Sequence, residues 1–226
     1  MSYKILFVTA TSVEAEAIGK IKGIQVIPGG YKFGNFIISL LVSGIGSVST
    51  AWGMQKWISV NDKPDLAINS GIAGSYREEI AIGDVVMPLT DCFADAGIED
   101  GNNFFTLSEA GLLSASEFPF IDGLIKTDSL YARQLKEIVK PVRAITLNTA
   151  TGSESTRDRL VKKFNPDIET MEGAAFFYIC SRENIPFLAL RAVSNMVEIR
   201  NKTNWDIKRA ISNLGEKLNE VVLTLK

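Results

Sequence analysis

Two glutamates and one asparagine of this chain follow apolar runs, at the points where a strand should end. Glu14 comes shortly after the run at residues 4–10, and Glu172 and Asn195 follow two later runs. A carboxylate can accept a proton from water or hold two neighbouring hydroxyl groups, and an amide offers both a donor and an acceptor. The chain contains no histidine, which excludes Ser-His-Asp and Cys-His catalysis, imidazole acid–base chemistry and His-ligated zinc. Any catalysis must therefore use carboxylates, amides, hydroxyl groups or backbone groups.

Each acid also has a simpler interpretation. An acid in the first turn of a helix favours the helix dipole, and both glutamates lie where a helix is predicted to begin. The small residues Gly-Ala-Ala that follow Glu172 indicate instead a carboxylate held where the chain approaches a ligand. There it could accept both hydroxyls of a ribose, and Glu14 could deprotonate a water molecule. Arg191 is expected to be a structural ion-pair partner rather than a catalyst.

The composition is that of an ordinary globular protein. Of the 226 residues, 46% are hydrophobic and 22% are charged. No linker, charge block or repeat divides the chain, so we expect one domain over residues 1–226. The formal net charge of −2 gives no basic field for a phosphate backbone, so nucleic acid is not the expected partner. No apolar run reaches the roughly 18 residues of a membrane span, and no membrane association is expected.

The N-terminal segment and the cysteines favour a cytoplasmic protein. Residues 4–10 are predicted as a strand, and no signal-peptide pattern precedes them. Cys92 and Cys180 are too few for a disulfide framework and form no C-x-x-C pair, so both are expected to be reduced thiols. We expect neither a cofactor nor a metal.

Short apolar runs alternate with segments of helical periodicity, which indicates a largely parallel or mixed sheet covered by helices on both faces. Such sheets bind ligands beyond the carboxyl ends of their strands. Small and polar residues collect at the predicted ends, at 9–14, 43–46, 70–74, 149–153, 171–172 and 194–195, so we expect a single site there. Strands are predicted at 4–10, 25–28, 35–42, 65–69, 84–93, 143–149, 167–170 and 187–194, and helices at 43–60, 129–139, 154–164, 172–183 and 205–225.

Two glycine-rich turns are predicted, SGIG at 43–46 and SGIAG at 70–74. Glycine lets the backbone pass close to a ligand and present N–H groups to an oxygen, although tight packing turns explain such sequences equally well. The first turn is not a G-x-G-x-x-G fingerprint, because Ser49 stands where the third glycine would be. We therefore reject a dinucleotide site. Ser12 is predicted to cap the helix that carries Glu14, and residues 94–106 are predicted to form a loop.

A set of short motifs resembles the nucleoside phosphorylase superfamily, specifically its hydrolytic branch, the methylthioadenosine/S-adenosylhomocysteine nucleosidases and the futalosine hydrolases. Each motif is modest alone, but together they are specific, and they span nearly the whole chain in the family's order. They are the turn at 10–14, SGIG at 43–46, INSGIAG at 68–74, IGDVV at 82–86, FADAG at 93–97, TGS at 151–153, ETMEGAA at 169–175 and RAVSN at 191–195.

The resemblance implies a three-layer α/β/α sandwich around a mixed, partly barrel-like central sheet, in an enzyme that forms dimers or larger homo-oligomers. Glu14 matches the family's water-orienting acid, and Met171 and Glu172 match the pair that contacts the ribose. Asn195 stands where adenosine-type nucleosidases have an aspartate acting at purine N7, so Glu14 and Asn195 are the implied catalytic residues. The other implied substrate-binding residues are Gly71, Ala73, Gly152, Ser153, an aromatic at Phe93, Phe104 or Phe105, and Arg200 or Arg77 for a benzoate tail.

The asparagine at position 195 distinguishes the branches of the family. Aspartic acid can protonate N7 and accept from the 6-amino group of adenine, whereas asparagine offers an N–H₂ donor and a carbonyl acceptor. Those groups suit N7 or O6 and the N1–H of a 6-oxopurine, and a mismatched base would leave a buried group unpaired. Residues 198–201 and Trp205 also resemble the futalosine hydrolase ending. The resemblance therefore favours futalosine hydrolysis, which releases hypoxanthine in menaquinone biosynthesis.

Three alternatives stay open. The nearest is a methylthioadenosine/S-adenosylhomocysteine or aminofutalosine nucleosidase that releases adenine. Asn195 disfavours this alternative. A phosphorylase of this superfamily binds phosphate with arginines, one early in the chain and one in the segment matching 68–74. This chain has no arginine before Arg77 and has Asn69 in the second place, so water is the expected nucleophile. A non-catalytic nucleoside-binding protein is expected to have lost one of the two glutamates, and both are present.

Overall fold

Apolar runs rich in valine, isoleucine, leucine and phenylalanine form the strands, as their composition predicts. The computed structural model describes residues 2–101, 103–198 and 202–225. The strands are β1 (Tyr3–Thr9), β2 (Gln25–Ile27), β3 (Gly30–Phe33), β4 (Phe36–Val42), β5 (Leu66–Ser75), β6 (Val85–Asp91), β7 (Gly97–Asp100), β8 (Asn103–Thr106), β9 (Ile125–Lys126), β10 (Lys140–Thr146), β11 (Ile168–Thr170) and β12 (Phe187–Met196). The helices are α1 (Ser12–Ala15), α2 (Ser47–Val60), α3 (Leu130–Leu135), α4 (Glu154–Phe164), α5 (Gly173–Arg182) and α6 (Ile207–Thr224), with 3₁₀ turns at Ile18–Lys20 and Lys202–Asn204.

Most strands join one mixed sheet. Its order is β11-β10-β6-β12-β5-β1-β4-β3-β2, with β9 beside β6, while β7 and β8 pair with each other. β5 pairs in parallel with β1 and β12, and its end also pairs antiparallel with β11. The strands β5, β12, β6, β10 and β11 therefore close into a barrel at one end of the sheet. This confirms the predicted mixed, partly barrel-like sheet.

Helices cover both faces of this sheet. Ile5 and Phe7 of β1 pack in an apolar core with α3 and α6, whereas Leu6 and Val8 pack in a second core with α2 and α5. Because successive residues of a strand point to opposite faces, β1 is buried on both sides. The predicted three-layer α/β/α architecture is confirmed. Within the described ranges, no helix is long and apolar enough to cross a membrane.

The segment at 70–74 is strand, not the turn that was predicted. β5 continues through it to Ser75, because the whole segment pairs with β12 and its end, at Gly74 and Ser75, also pairs with β11. Local sequence favours a turn wherever small residues and glycines cluster, but pairing on both sides overrides that preference. Glycine inside a strand then marks a close approach of another group.

The segment at 94–106 was also predicted wrongly, as a loop. It contains the antiparallel pair β7–β8, in which Ile98 faces Phe105 and Glu99 faces Phe104. Gly101 has a φ of +60° in the connection between the two strands. Glycine adopts that left-handed conformation readily, which favours the hairpin.

β12 contains a bulge close to its end. Val193 is paired with Ala73 and Asn195 with Gly74, so Ser194 is the extra residue on this strand. A bulge bends the strand and redirects the side chains beyond it. Asn195 is thereby placed opposite Gly74, at the point where β5 also meets β11.

Candidate active site

A cavity of about 220 Å³ lies where β1, β11 and β12 end. This is the edge at which a sheet of this kind presents its ligand site. The predicted residues in its lining are Glu14, Ala73, Thr151, Met171, Glu172 and Asn195. The structure thus brings together side chains that are up to 181 positions apart in the sequence.

Glu14 is held by the backbone around it. Thr11, and not the predicted Ser12, is the N-cap of α1, and Thr11 and Glu14 form a reciprocal capping box. Glu14 Oε2 accepts from Ala10 N at 3.1 Å, from Thr11 N at 2.9 Å and from Thr11 Oγ1 at 3.0 Å. Oε1 accepts from Ile72 N at 3.0 Å. The buried carboxylate is therefore fixed in one orientation, with Oε1 carrying the fewer hydrogen bonds.

Gly71 lies directly against this carboxylate. A Cβ added to Gly71 would stand 2.5 Å from Glu14 Oε1, closer than any real contact. The sequence assigned Gly71 to substrate binding, whereas the structure places it behind Glu14 and outside the lining of the cavity. Its missing side chain makes room for the glutamate, since any larger residue would displace Oε1.

Glu172 is held in a different way. It occupies the N-cap position of α5, yet its side chain makes no capping hydrogen bond. Its Oε1 accepts from Gly46 N at 2.9 Å. Gly46 has a φ of +92°, a conformation that favours glycine, so the SGIG turn presents its N–H to this glutamate. Burial raises the pKa of Glu172, against the opposing effects of the Gly46 N–H and the positive charge of Arg191.

Two threonines satisfy the first turn of α5 in place of Glu172. Gly173 N donates to Thr170 Oγ1 at 3.2 Å, and Ala174 N donates to Thr146 Oγ1 at 2.8 Å. Thr146 Oγ1 donates in turn to Asp91 Oδ1 at 3.0 Å. The helix end is thus capped from neighbouring strands. The carboxylate of the N-cap residue stays in the cavity.

Asp91 is fully buried behind this helix end. Its Oδ2 has no hydrogen-bond partner among the described residues, and a Cβ on Gly173 would lie 2.1 Å from it. Burial raises the pKa of Asp91 to about 7, while hydrogen bonding by Thr146 and the charge of Arg191 lower it. Gly173 is therefore required for close packing against Asp91.

Among the described residues, Arg191 does not form the ion pair that was predicted. Its guanidinium donates to the carbonyl oxygens of Asn69 and Leu190 at 2.9 and 3.1 Å and to the side-chain oxygen of Asn69. Its positive charge acts on Glu172 and Glu14 without direct contact, and burial lowers its own pKa. Arg191 thus balances the charge of the two carboxylates from behind the site.

Asn195 is buried, with its amide oriented by protein groups. Ser194 Oγ donates to Asn195 Oδ1 at 2.8 Å, and Asn195 Nδ2 donates to the Met196 carbonyl oxygen at 3.0 Å. A carbonyl oxygen only accepts, so this contact fixes which side of the amide carries the nitrogen. One N–H of Nδ2 is left for a ligand.

Glu169 is a third buried carboxylate of the cavity, and the sequence analysis gave it no role. It accepts from Thr151 N at 2.9 Å and from Tyr76 Oη at 2.6 Å. Burial raises the pKa of Tyr76, as does the nearby charge of Glu169. The available signal was a glutamate inside the fully buried strand β11, where a charged side chain is rarely placed without a partner or a function.

Several other predicted residues do not line this cavity. Phe93 borders a larger cavity of about 380 Å³ next to Phe120 and Phe164, which contains none of the three carboxylates. Phe104 packs on Phe164, and Phe105 of the same strand is exposed. Gly152 and Ser153 are exposed at the start of α4, where Ser153 caps the helix.

Of the two candidate arginines, only Arg77 lies within the described residues, and it does not line the cavity. Arg77 pairs with Asp167 at 3.1 Å, and Arg200 lies outside the described residues. Trp205, which the sequence noted only as part of a family-like ending, lines the cavity. The backbone N–H of Asp206 donates to the Ser194 carbonyl at 2.8 Å, which fastens the Trp205 segment to β12.

Among curated relatives, the 5′-methylthioadenosine/S-adenosylhomocysteine nucleosidase of Buchnera aphidicola subsp. Schizaphis graminum is 29% identical over 220 residues, covering 91% of this chain and 86% of the relative. The futalosine hydrolase of Streptomyces coelicolor is 26% identical over 240 residues, covering 98% and 96%. The futalosine hydrolase of Acidothermus cellulolyticus is 29% identical over 221 residues, covering 95% and 88%. Both kinds of relative match nearly the whole chain.

The fold has close counterparts among solved structures. A futalosine hydrolase mutant of Helicobacter pylori strain 26695 matches with a TM-score of 0.80 at 20% identity, covering 97% of this chain and 98% of that one. A Helicobacter pylori 5′-methylthioadenosine/S-adenosylhomocysteine nucleosidase with butyl-thio-DADMe-Immucillin-A matches with a TM-score of 0.81 at 20% identity, covering 98% of each. The family model for the Phosphorylase superfamily matches residues 4–225, a range that contains the barrel-closed sheet and every residue of the cavity, and this chain therefore belongs to that superfamily.

Proposed function

We propose that this protein hydrolyses the N-glycosidic bond of futalosine, releasing hypoxanthine and dehypoxanthine futalosine with water as the nucleophile. The observation that carries the proposal is the convergence of Glu14, Glu172 and Asn195 on one cavity at the carboxyl ends of the strands. The relatives that are similar over nearly the whole chain are nucleosidases and futalosine hydrolases. Hydrolysis of a nucleoside is the chemistry common to their names.

We assign the binding of the ribose to Glu172. Its carboxylate sits at the open end of α5, and a ribose diol can donate to it. The glycosidic bond breaks largely before water attacks, which leaves positive charge on the sugar ring. A buried carboxylate stabilises that charge more in the transition state than in the ground state. Burial raises the pKa of Glu172, and a cationic sugar beside the carboxylate would stabilise its charged form.

We assign the deprotonation of the attacking water to Glu14. Oε1, which accepts one backbone hydrogen bond, takes one proton from the attacking water while the remaining hydroxide bonds to C1′ of the sugar. The base leaves with the electron pair of the broken bond and takes up one proton from solvent, and Glu14 releases its proton to solvent, so that one water is consumed overall. Asn195 Nδ2 donates to N7 or O6 and stabilises the departing negative charge without transferring its proton.

Water rather than phosphate is supported by the charges around the cavity. Among the residues that the structure describes, no arginine or lysine lines it. Asn69, which stands where the family's phosphorylases have an arginine, donates to the Val8 carbonyl at 2.9 Å and accepts from Arg191. Both ends of its amide are therefore occupied inside the protein. A phosphate dianion normally requires bidentate arginines or comparable donors.

The second candidate is a methylthioadenosine/S-adenosylhomocysteine nucleosidase, since the Buchnera protein of that name is 29% identical, the same value as for the Acidothermus futalosine hydrolase. Incubation of the protein with futalosine, aminofutalosine, methylthioadenosine and inosine, with and without phosphate, separates the candidates by the base that chromatography detects. We expect hypoxanthine from futalosine, at a rate that phosphate does not change. Adenine from methylthioadenosine as the main product supports the second candidate, and a phosphate requirement overturns hydrolysis.

We also propose that the protein is a homo-oligomer. Ile45 lines the cavity and is exposed in the turn that precedes α2. On the first turns of α2, Val48 and Trp52 are 81% and 64% exposed. Residues four apart share one face of a helix, so these side chains form an apolar patch beside the cavity. A second copy on this patch would cover it and line the 5′ side of the substrate. Light scattering of the wild type and of Trp52→Glu tests this, since the substitution should lower the assembly mass.

A further inference from the structure

Glu169 and Asn195 face each other across a position without a side chain. Gly74 is the pairing partner of Glu169 on β11 and of Asn195 on β12. A Cβ at Gly74 would stand 2.9 Å from Val197 Cγ2, 3.2 Å from Asn195 Nδ2 and 3.4 Å from Glu169 Cγ. The absence of a side chain at Gly74 therefore lets the two polar side chains approach each other over the backbone of β5. All three residues line the cavity.

We propose that Glu169 is a specificity-determining residue that accepts the N1–H of a 6-oxopurine, while Asn195 donates to O6 or N7 of the same base. The inference rests on the proposed nucleosidase function and identifies the base edge that the site reads. In a 6-oxopurine, N7, O6 and N1–H follow one another along one edge. An N–H donor from Asn195 and an acceptor from Glu169, on the two strands that flank Gly74, match that order.

The carboxylate also selects against adenine. Adenine has a lone pair at N1, so Glu169 would face it acceptor to acceptor, and neither group would have a hydrogen at the contact. A site built around a particular hydrogen bond strongly rejects the analogue that lacks it, because buried polar groups are left unpaired. Asn195 alone selects less strongly, since N7 is an acceptor in both bases and its N–H can donate to N7 of either.

Two hydrogen-bond donors of the protein fix the orientation of the Glu169 carboxylate. Thr151 N donates to Oε1 and Tyr76 Oη donates to Oε2, so each oxygen keeps a lone pair for a further donor. Tyr76 stays a donor, because burial and the neighbouring carboxylate raise its pKa. The Thr151 segment is the turn in which the sequence placed base-binding residues. Its contribution in the structure is to position Glu169.

The test is the base preference of Glu169→Gln, because the new amide can turn its N–H₂ toward N1 of adenine. We expect the ratio of kcat/KM for inosine over adenosine, and for futalosine over aminofutalosine, to fall by about tenfold or more. Glu183→Gln makes the same chemical change at the C-cap of α5, where the half-buried Glu183 pairs with Lys63 outside the cavity, and should leave both ratios unchanged. Tyr76→Phe keeps the carboxylate but removes one of its donors, and should lower the ratios by a smaller factor.

Calorimetry with free hypoxanthine and free adenine separates this inference from the proposed function. If the wild type cleaves no nucleoside in any arm, the proposed function fails, and the affinity ratio of the two bases still tests Glu169. A wild type that binds adenine more tightly than hypoxanthine overturns the inference, as does a Glu169→Gln protein with unchanged ratios. If Glu169→Gln does not fold, Tyr76→Phe decides, and an unchanged base preference in that variant overturns it.

Discussion

Glu14 and Glu172 border the same cavity, yet the protein holds their carboxylates in opposite ways. Glu14 accepts hydrogen bonds from Ala10, Thr11 and Ile72 and forms the capping box of its own helix. Glu172 also stands at a helix start, but Thr170 and Thr146 take over the capping there. The carboxylate of Glu14 is therefore oriented by hydrogen bonds from the protein. The carboxylate of Glu172 is not used to cap its own helix, because the two threonines do so.

This difference separates two requirements of a hydrolytic site. A general base must be aimed at one water molecule, so its orientation matters most. A group that binds a diol and stabilises a cation must keep lone pairs free in a dry environment. Hydrogen bonds supply the first property at Glu14, and burial supplies the second at Glu172. The following variants, in order of expected effect, test whether this division is real.

Glu14→Gln should give the largest loss. An amide cannot take the proton of water, so we expect kcat to fall about 10³-fold, within the range that general bases supply. The new N–H₂ group must also face a backbone N–H, so one of these donors loses its acceptor. We therefore expect the melting temperature to fall as well as kcat. Steady-state kinetics and thermal melts measure both. An intact melting temperature would show that the four hydrogen bonds do not hold the loop.

Glu172→Gln should reduce kcat by about 10²-fold through the loss of charge stabilisation. Its effect on stability should be the reverse of that at Glu14. Because burial raises the pKa of Glu172, its charged form is disfavoured in the folded protein, and removing the charge at pH 8 should leave the melting temperature equal or higher. Equal losses of stability in the two variants would break the comparison.

Gly71→Ala tests whether the orientation of Glu14 matters apart from its chemistry. The new Cβ would lie 2.5 Å from Oε1, so the carboxylate must move, and we expect kcat to fall about tenfold because small misplacements are costly. Gly19→Ala is the matched control, since nothing lies within 4 Å of its Cβ. A similar kcat in both variants would contradict the role of Gly71.

Asp91→Asn should have the smallest effect on rate and a distinct effect on pH dependence. The pKa of Asp91 rises from 3.8 in the unfolded chain to about 7 in the folded protein. The protonated Asp91 therefore stabilises the fold fully below pH 3.8, and this stabilisation is lost as the pH rises through about 7. The wild type should therefore lose melting temperature relative to the variant between pH 4 and pH 8. A difference in melting temperature between the wild type and the variant that stays constant over this pH range would contradict the raised pKa of Asp91.

Much of the fold could be predicted from the chain alone. The strand–helix alternation gave the sandwich, and helix α4 was predicted with the bounds that the structure has. The error in β5 has a physical cause: residues 70–74 look like a turn locally, and their strand conformation depends on two partners that are far away in the sequence. Local propensity contains no information about such pairing.

The same limit applies to the candidate site. Glu14, Glu172 and Asn195 could be picked out because each follows a strand, and their roles stay predictions. Glu169 could not, since its place beside Asn195 depends on the shared pairing with Gly74. Phe93 was chosen as an aromatic near a motif, but the course of the chain carries its ring to another cavity.

The extra residue in β12 makes chain length a constraint of its own. Because side chains alternate along a strand, removing Ser194 would straighten the ladder and turn every following side chain to the other face. The amide of Asn195, which bonds to Ser194 and Met196, therefore faces the cavity only while this extra residue is present. A chain shortened by that one residue would keep Asn195 in its sequence and lose its amide from the cavity.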